Sequence, residues 1–372
     1  MNTPEMREQC AAELARNSNR AAQMTAFVGL DGFVDEILHV VDKRESAERY
    51  QRLTTIAKFA GRLAAAAGQS TNVELVSQLT KLGGNGPIMA NALASLGLKV
   101  TYLGILGYPA LHPVFTDFAR RAEVHSIAEP GYTDALEFED GKIMLGKHES
   151  LKQMNWENIC ERFGRDKFAQ LFGSADLVGF VNWTMLTAMS DIWESLLKEI
   201  CSGMKGGRRK FFIDLADPEK RTAEDISRAL QLVSRFQKHF DVILGLNEKE
   251  GYEIGEALGL KGGGRQPEDL LNLCRNIHQR LQIDTLVIHP TAYALACGPD
   301  GGFIVEGPFT PKPKITTGAG DHFNSGFCLG KLLGLKTDLC LLAGVTTSGH
   351  YVRTGQSPAI NDLAALLRDW PK

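Results

Sequence analysis

The sequence predicts an α/β fold: a doubly wound, mostly parallel sheet with a small antiparallel β lid. Three observations predict it. Six short runs are almost continuously apolar, the pattern of strands covered on both faces. Helical patterns separate these runs, giving the β-then-α alternation of a parallel sheet. A second group of segments alternates apolar and polar residues instead, which suits strands with one wet face.

In chain order, residues 1–24 read as an N-terminal helical extension, with Thr3 able to cap it and Pro4 in its first turn. TAFVGL (25–30) is the first buried strand. VDEILHVV (34–41) and VELVSQL (73–79) belong to the alternating group, and VTYLGIL (100–106) returns to the main sheet. ALEFED–GK–IMLGKH (135–148) is a hairpin turning at Asp140-Gly141. The runs ADLVGFV (175–181), KFFIDL (210–215), DVILGL (241–246) and DTLVIH (284–289) complete the parallel set. Helices are expected over DIWESLLKEICSGM (191–204) and PEDLLNLCRNIHQRL (267–281), and a loop over the glycines at 262–264. Segments 34–41, 73–79 and 132–148 then form the small sheet. It reads either as a plain edge hairpin or as a lid over the C-terminal strand ends, where ligands bind in such sheets.

Composition narrows the class of function. The chain has 372 residues, a formal net charge of −3 and no apolar run near the roughly 18 residues of a spanning helix. Neither nucleic acid nor membrane is therefore expected as a partner. The opening MNTPEMREQC lacks an apolar signal core, and the seven cysteines are odd in number without a CxxC pair. Both features point to a cytoplasmic location with reduced thiols, and neither suggests zinc.

The chemistry concentrates in TTGAGDHFNSGF (316–327), a glycine loop opening a helix. Gly318 and Gly320 let backbone N–H groups converge on an anion at the helix N-terminus. Asp321 reads two ways: as a cap of that helix, or as a base facing an incoming nucleophile. A carboxylate there would accept the proton of an attacking hydroxyl while the Gly318-Ala319-Gly320 amides stabilise the transferred phosphoryl group. The loop is not GxGxxG and lies late in the chain, and VGLDGF after the first strand supplies no such fingerprint. Both facts disfavour a dinucleotide-dependent oxidoreductase.

TTGAGDHF resembles the C-terminal signature of the ribokinase-like (PfkB-type) carbohydrate kinases, written DTTGAGDxF. In the family's order, VGLDGFVDEI (28–37), KLGGNGPIMANALASLG (81–97), LGLNEKEG (244–251) and YVRTGQSP (351–358) resemble its other motifs. The resemblance implies one kinase domain over 25–372 and an ATP-dependent phosphotransfer to a hydroxyl of a sugar or related polyol, with Mg²⁺. It implies Asp321 as the catalytic base and the amides of Gly318, Ala319 and Gly320 as the anion hole. Asp31, Asp35, Gly84 and Asn85 would bind substrate. Asn247, Glu250 and Thr317 would serve ATP and Mg²⁺, Glu250 through water. A homodimer through the lid is a further expectation.

Departures from the pattern also carry expectations. Ile315 replaces the acid that opens DTTGAGD and supports a monovalent-cation site in relatives, so KCl should stimulate little. Ile88 replaces an asparagine of the Gly-Gly segment, with Asn91 one turn later, and HPTAY (289–293) stands where the nucleotide loop reads LGxxG. His289 is thus either an ATP contact or a packed strand-end residue. The acceptor stays open between a sugar, a sugar phosphate near Lys142, Lys147 and Lys152, and a nucleoside near Phe33 and Trp183. A non-catalytic ligand-binding protein on the same fold is the remaining alternative.

Overall fold

The computed structural model describes residues 2–204, 207–260 and 262–371. Its strands, in chain order, are β1 (Thr25–Gly29), β2 (Phe33–Arg44), β3 (Tyr50–Arg52), β4 (Leu75–Gly83), β5 (Lys99–Gly104), β6 (Glu123–Ser126) and β7 (Gly131–Glu137). They continue as β8 (Lys142–Lys147), β9 (Leu177–Phe180), β10 (Arg209–Asp214), β11 (Phe240–Leu246), β12 (Thr285–Ile288), β13 (Tyr293–Gly298) and β14 (Gly301–Glu306). The main sheet has the order β14-β13-β12-β11-β10-β9-β1-β5-β6. From β12 to β6 every pairing is parallel, and β13 and β14 add an antiparallel edge. The six apolar runs are the six central parallel strands.

Those runs are apolar throughout because helices cover both faces of the sheet. Successive residues of β10 point into different layers. Phe211 packs edge-on against Phe236 (centroids 4.9 Å apart) and joins Phe27, Phe172 and Phe180. Phe212, its neighbour, lies in the opposite layer with Val28, Ile243 and Phe327.

The helices follow local chemistry. Thr3 Oγ1 accepts the Met6 N–H and caps helix Pro4–Arg16. That helix buries Cys10, Ala11 and Leu14, and Glu8 pairs with Arg368 at 3.0 Å on helix Ile360–Arg368. Helix Pro267–Leu281 has the expected limits. The segment expected to be helical over 191–204 is instead helix Met189–Glu199 followed by a 3₁₀ turn at Cys201–Gly203. Cys, Ser and Gly are weak helix formers, which ends the helix early.

The small sheet contains β3, β2, β7 and β8, with β4 on the other side of β2. Three of its pairings are antiparallel, but β2 and β7 run parallel, so the sheet is mixed. The register sets Asp35 between Lys81 of β4 and Thr133 of β7. Ile37 opposes Leu79 and Leu38 opposes Ser77, leaving Gln78 as a bulge. Helix Ile56–Ala65 covers the distal end, where Phe59 stacks on Phe138 at 5.7 Å. Leu79 and Met144 stay 55% and 51% exposed, an apolar surface on this sheet with nothing packed over it among the described residues. No helix of the described residues is long and apolar enough to cross a membrane.

Candidate active site

The C-terminal ends of the parallel strands face a cavity of about 630 Å³. Asp35, Gly84, Asn85, Asn247, Glu250, Thr317, Gly318, Gly320 and Asp321 all line it. Ala319 lines an adjoining cavity of about 360 Å³ instead. Asp31 lines neither.

Asp31 lies beneath the cavity, fully buried between strand and helix. Its oxygens accept from the backbone N–H of Asn85 (3.0 Å) and Gly86 (2.8 Å), and from Asn182 Nδ2 at 2.7 Å. Tyr102 Oη donates to its carbonyl (2.7 Å) and approaches its carboxylate. The carboxylate thus caps helix Asn85–Ser95 from 54 residues away, where an anion meets free N–H groups and the positive end of the dipole. Burial pushes Asp31 up to about 6, opposed by these hydrogen bonds. Its place corrects the expectation of a direct substrate contact: every oxygen is already engaged inside the protein.

The glycines of the Gly-Gly segment make this packing possible. A Cβ on Gly83 would meet the Asp35 carboxyl at 2.4 Å, and one on Gly86 would meet Asp31 Oδ1 at 2.5 Å. Asp35 itself is nearly buried but faces the cavity. Burial raises its pKa, while the Lys81 ammonium and the Thr133 hydroxyl counter the shift.

Across the cavity, Gly318 stands at the N-cap of helix Ala319–Leu333 in the left-handed region, with φ +91° and no side-chain cap. Asp321 is therefore the third helical residue and not the cap. The N–H of Ala319 donates to Thr316 O at 3.1 Å, whereas those of Gly318 and Gly320 have no acceptor among the described residues. Asn85 Nδ2 donates to Asp321 Oδ1 at 3.1 Å, joining the two helix starts. Burial pushes Asp321 well above the usual carboxylate range, and the charge of Asp214 adds to the shift. A hydroxyl between Asp321 and the free N–H groups would find a proton acceptor on one side and anion donors on the other.

Asn247 and Glu250 form a capping box. Asn247 Oδ1 accepts the Glu250 N–H at 3.0 Å, and Glu250 Oε2 accepts the Asn247 N–H at 2.7 Å. Glu250 Oε1 accepts the Asp217 N–H at 2.8 Å, so Glu250 is buried and not on a solvated helix face. Asp214, which sequence reasoning missed, ends β10 between Glu250 and Asp321 and lines the cavity. It accepts from the Ala216 N–H and from Asn324 Nδ2, each at 2.9 Å. Burial and then the Glu250 charge raise its pKa well above normal. An acid closing a parallel strand was the available signal.

Of the other candidates, Phe33 lines the main cavity, whereas Trp183 and the three lysines fall elsewhere. Trp183 is fully buried and donates Nε1–H to Ser190 Oγ at 2.9 Å. Lys142, Lys147 and Lys152 pair with Glu137, Asp134 and Glu149. His289 lines both cavities, packs 4.8 Å from the Phe323 ring and is pushed down to about 4 by burial. The second cavity is bounded by Pro290, Pro308, Phe309, Val345 and Val352.

Known proteins resemble this chain in sequence and in fold. A curated ketohexokinase of Haloferax volcanii is 29% identical over 370 residues, covering 98% of this chain and 97% of that one. Among solved structures, Arabidopsis thaliana ribokinase complexed with ribose and ATP superposes with a TM-score of 0.64 at 15% identity, covering 93% of this chain and 98% of that one. Escherichia coli phosphofructokinase-2, in complex with substrates and products, gives 0.61 at 14%, covering 94% and 99%. These two show the fold, which is ribokinase-like. The family model described as prokaryotic ketohexokinase matches residues 2–370. A match over almost the whole chain, on this fold, makes the protein a carbohydrate kinase of the prokaryotic ketohexokinase family.

Proposed function

We propose that the protein transfers the γ-phosphate of ATP to a hydroxyl of a ketohexose, with Asp321 as general base. One observation carries this reading. A buried carboxylate with a raised pKa stands between cavity-lining polar groups (Asp35, Asn85) and uncommitted N–H groups at a helix N-terminus. As the sugar oxygen bonds to phosphorus, its proton passes to Asp321 and the bond from the γ-phosphorus to the leaving oxygen of ADP breaks. The N–H groups of Gly318 and Gly320 carry charge on the phosphoryl oxygens; that of Ala319 fixes the loop instead.

Mg²⁺ fits the acidic side of the cavity. Burial raises the pKa of all three acids there, Asp214, Glu250 and Asp321; the Glu250 charge adds to the shift of Asp214, and the Asp214 charge to that of Asp321, a repulsion that a cation relieves. No cluster of three or more such side chains in direct ligating geometry occurs among the described residues. A largely hydrated Mg²⁺ held through water by Glu250 and Asp214 suits both facts, and would neutralise phosphate charge. The apolar second cavity suits an adenine, with Thr316 and Thr317 near the phosphates.

ADP release over ketohexoses, aldohexoses, polyols, sugar phosphates and nucleosides tests the assignment. The highest kcat/KM is expected on a ketohexose; turnover confined to nucleosides, or nucleotide binding without turnover, overturns it. Asp35→Ala should raise the sugar KM about 10- to 150-fold, since a hydrogen bond to a charged group contributes about 1.5–3 kcal/mol. ATP affinity, read by calorimetry, should hold; an equal loss for both ligands would remove Asp35 from the sugar side. The exposed Leu79 and Met144 suit a second copy docked on the small sheet. Sedimentation of the full chain as a single copy would refute that dimer.

A further inference from the structure

The carbonyls of the glycine loop are tied to the C-terminal helices by side chains outside the family signature's glycines and aspartate. Tyr351 Oη donates to Thr317 O at 3.0 Å. His322 Nδ1 lies 2.7 Å from Gly318 O, which also accepts the His322 N–H at 3.1 Å. The other ring nitrogen, Nε2, meets Ser357 Oγ at 2.9 Å, and Asn91 Nδ2 donates to the same oxygen at 3.2 Å. The His322 and Tyr351 rings stack with centroids 3.6 Å apart and planes at 12°.

Chemistry fixes the roles within this chain of contacts. A carbonyl oxygen only accepts, so Nδ1 carries the ring hydrogen and Nε2 takes the Ser357 hydroxyl proton. Burial pushes His322 down to about 4, which keeps the ring neutral and in that tautomer at neutral pH. Peptide planarity then transmits the hold. In a trans peptide the C=O and the following N–H point in opposite directions. Drawing Thr317 C=O toward Tyr351 therefore turns the Gly318 N–H the other way. Drawing Gly318 C=O toward His322 likewise fixes the Ala319 N–H, which closes the turn on Thr316 O. Gly318 needs such anchors, because its φ of +91° comes without a side-chain cap.

We propose that His322 and Tyr351 are positioning residues for phosphoryl transfer, holding the two peptide planes from Thr317 to Ala319, and with them the turn at Gly318, so that the Gly318 N–H faces the transferred group. This rests on the reading of the loop as an anion hole. Tyr351→Phe deletes one oxygen and keeps the stack. His322→Phe keeps a flat ring but has no donor, and His322→Asn places an amide N–H near the position of Nδ1.

Tyr351→Phe and His322→Phe should each lower kcat about 10- to 100-fold, the scale of a misplaced or missing anion-hole donor. The sugar KM should stay at the parental value, and His322→Asn should restore most of the kcat. Parental kcat in Tyr351→Phe overturns the proposal even if His322→Phe fails to fold. So does an equal loss in His322→Asn and His322→Phe, or a loss expressed in the sugar KM. If these variants are fully active while Asp321→Asn is inactive, only the positioning role fails. If all of them are fully active, the general-base mechanism of the proposed function fails with it.

Discussion

Asp321→Asn is expected to fold, bind ATP at least as tightly as the parent, and lose about 10²- to 10⁴-fold in kcat, the usual share of general-base catalysis. The substitution keeps size and the amide can still contact Asn85, so the loss would belong to the proton acceptor. The sign of the pH effect follows from the same burial. The base must be ionised, and its pKa is held above the usual carboxylate range. Parental kcat/KM should therefore fall as pH drops through that raised value. Replacing Asp214 by Asn should move this acid limb to lower pH, since its charge is part of the cause. Because the raised pKa means that ionised Asp321 disfavours the fold above it, Asp321→Asn should melt no lower than the parent at neutral pH. Near-parental kcat in the folded variant would end the proposed mechanism.

Asp31→Ala is expected to destabilise the protein by at least about 3 kcal/mol. The carboxylate serves the N–H groups of Asn85 and Gly86 and the Asn182 amide. Each buried donor left without an acceptor costs about 1–3 kcal/mol. The freed helix start also carries Asn85, the partner of Asp321, so kcat should fall at temperatures where the variant is still folded. Urea unfolding followed by tryptophan fluorescence measures the first effect. A midpoint equal to the parent's would show that water or neighbouring groups replace the carboxylate.

The parallel core was readable because burial on both faces writes itself into a strand as an unbroken apolar run. VGF and FFID needed no knowledge of their partners. β13 and β14 were not readable in that way. They form an edge, and β13 starts at Tyr293, inside the stretch HPTAY that had the look of a loop. β2 and β4 were visible as strands, but the parallel β2–β7 pairing depends on contacts about 100 residues apart, which no local pattern encodes. The candidate site shows the same division. The residues around Asp321 and Glu250 cluster in short motifs. Asp214, Asn182 and Tyr102 act singly, from strand ends or strand interiors far apart in sequence. Asp31 stands in a visible motif, but its burial comes from the helix that folds over it.

The cavity's two walls belong to different sheets. Asp35 and Thr133 ride on β2 and β7, whereas Asp321 and Gly318 follow the main sheet, and β2 leaves that sheet three residues after β1 ends. On the proposed function, a polyhydroxylated sugar would touch both walls, and its binding energy would then complete the catalyst. Water touches only one wall at a time. Without a sugar, the walls are joined only by contacts of the protein itself, such as that of Asn85 with Asp321, and no ligand oxygen is fixed for attack. Thrift toward ATP would then need no dedicated guard residue: on the proposed function, spent nucleotide without phosphorylated sugar would be discouraged by the way the chain divides its binding groups between two sheets.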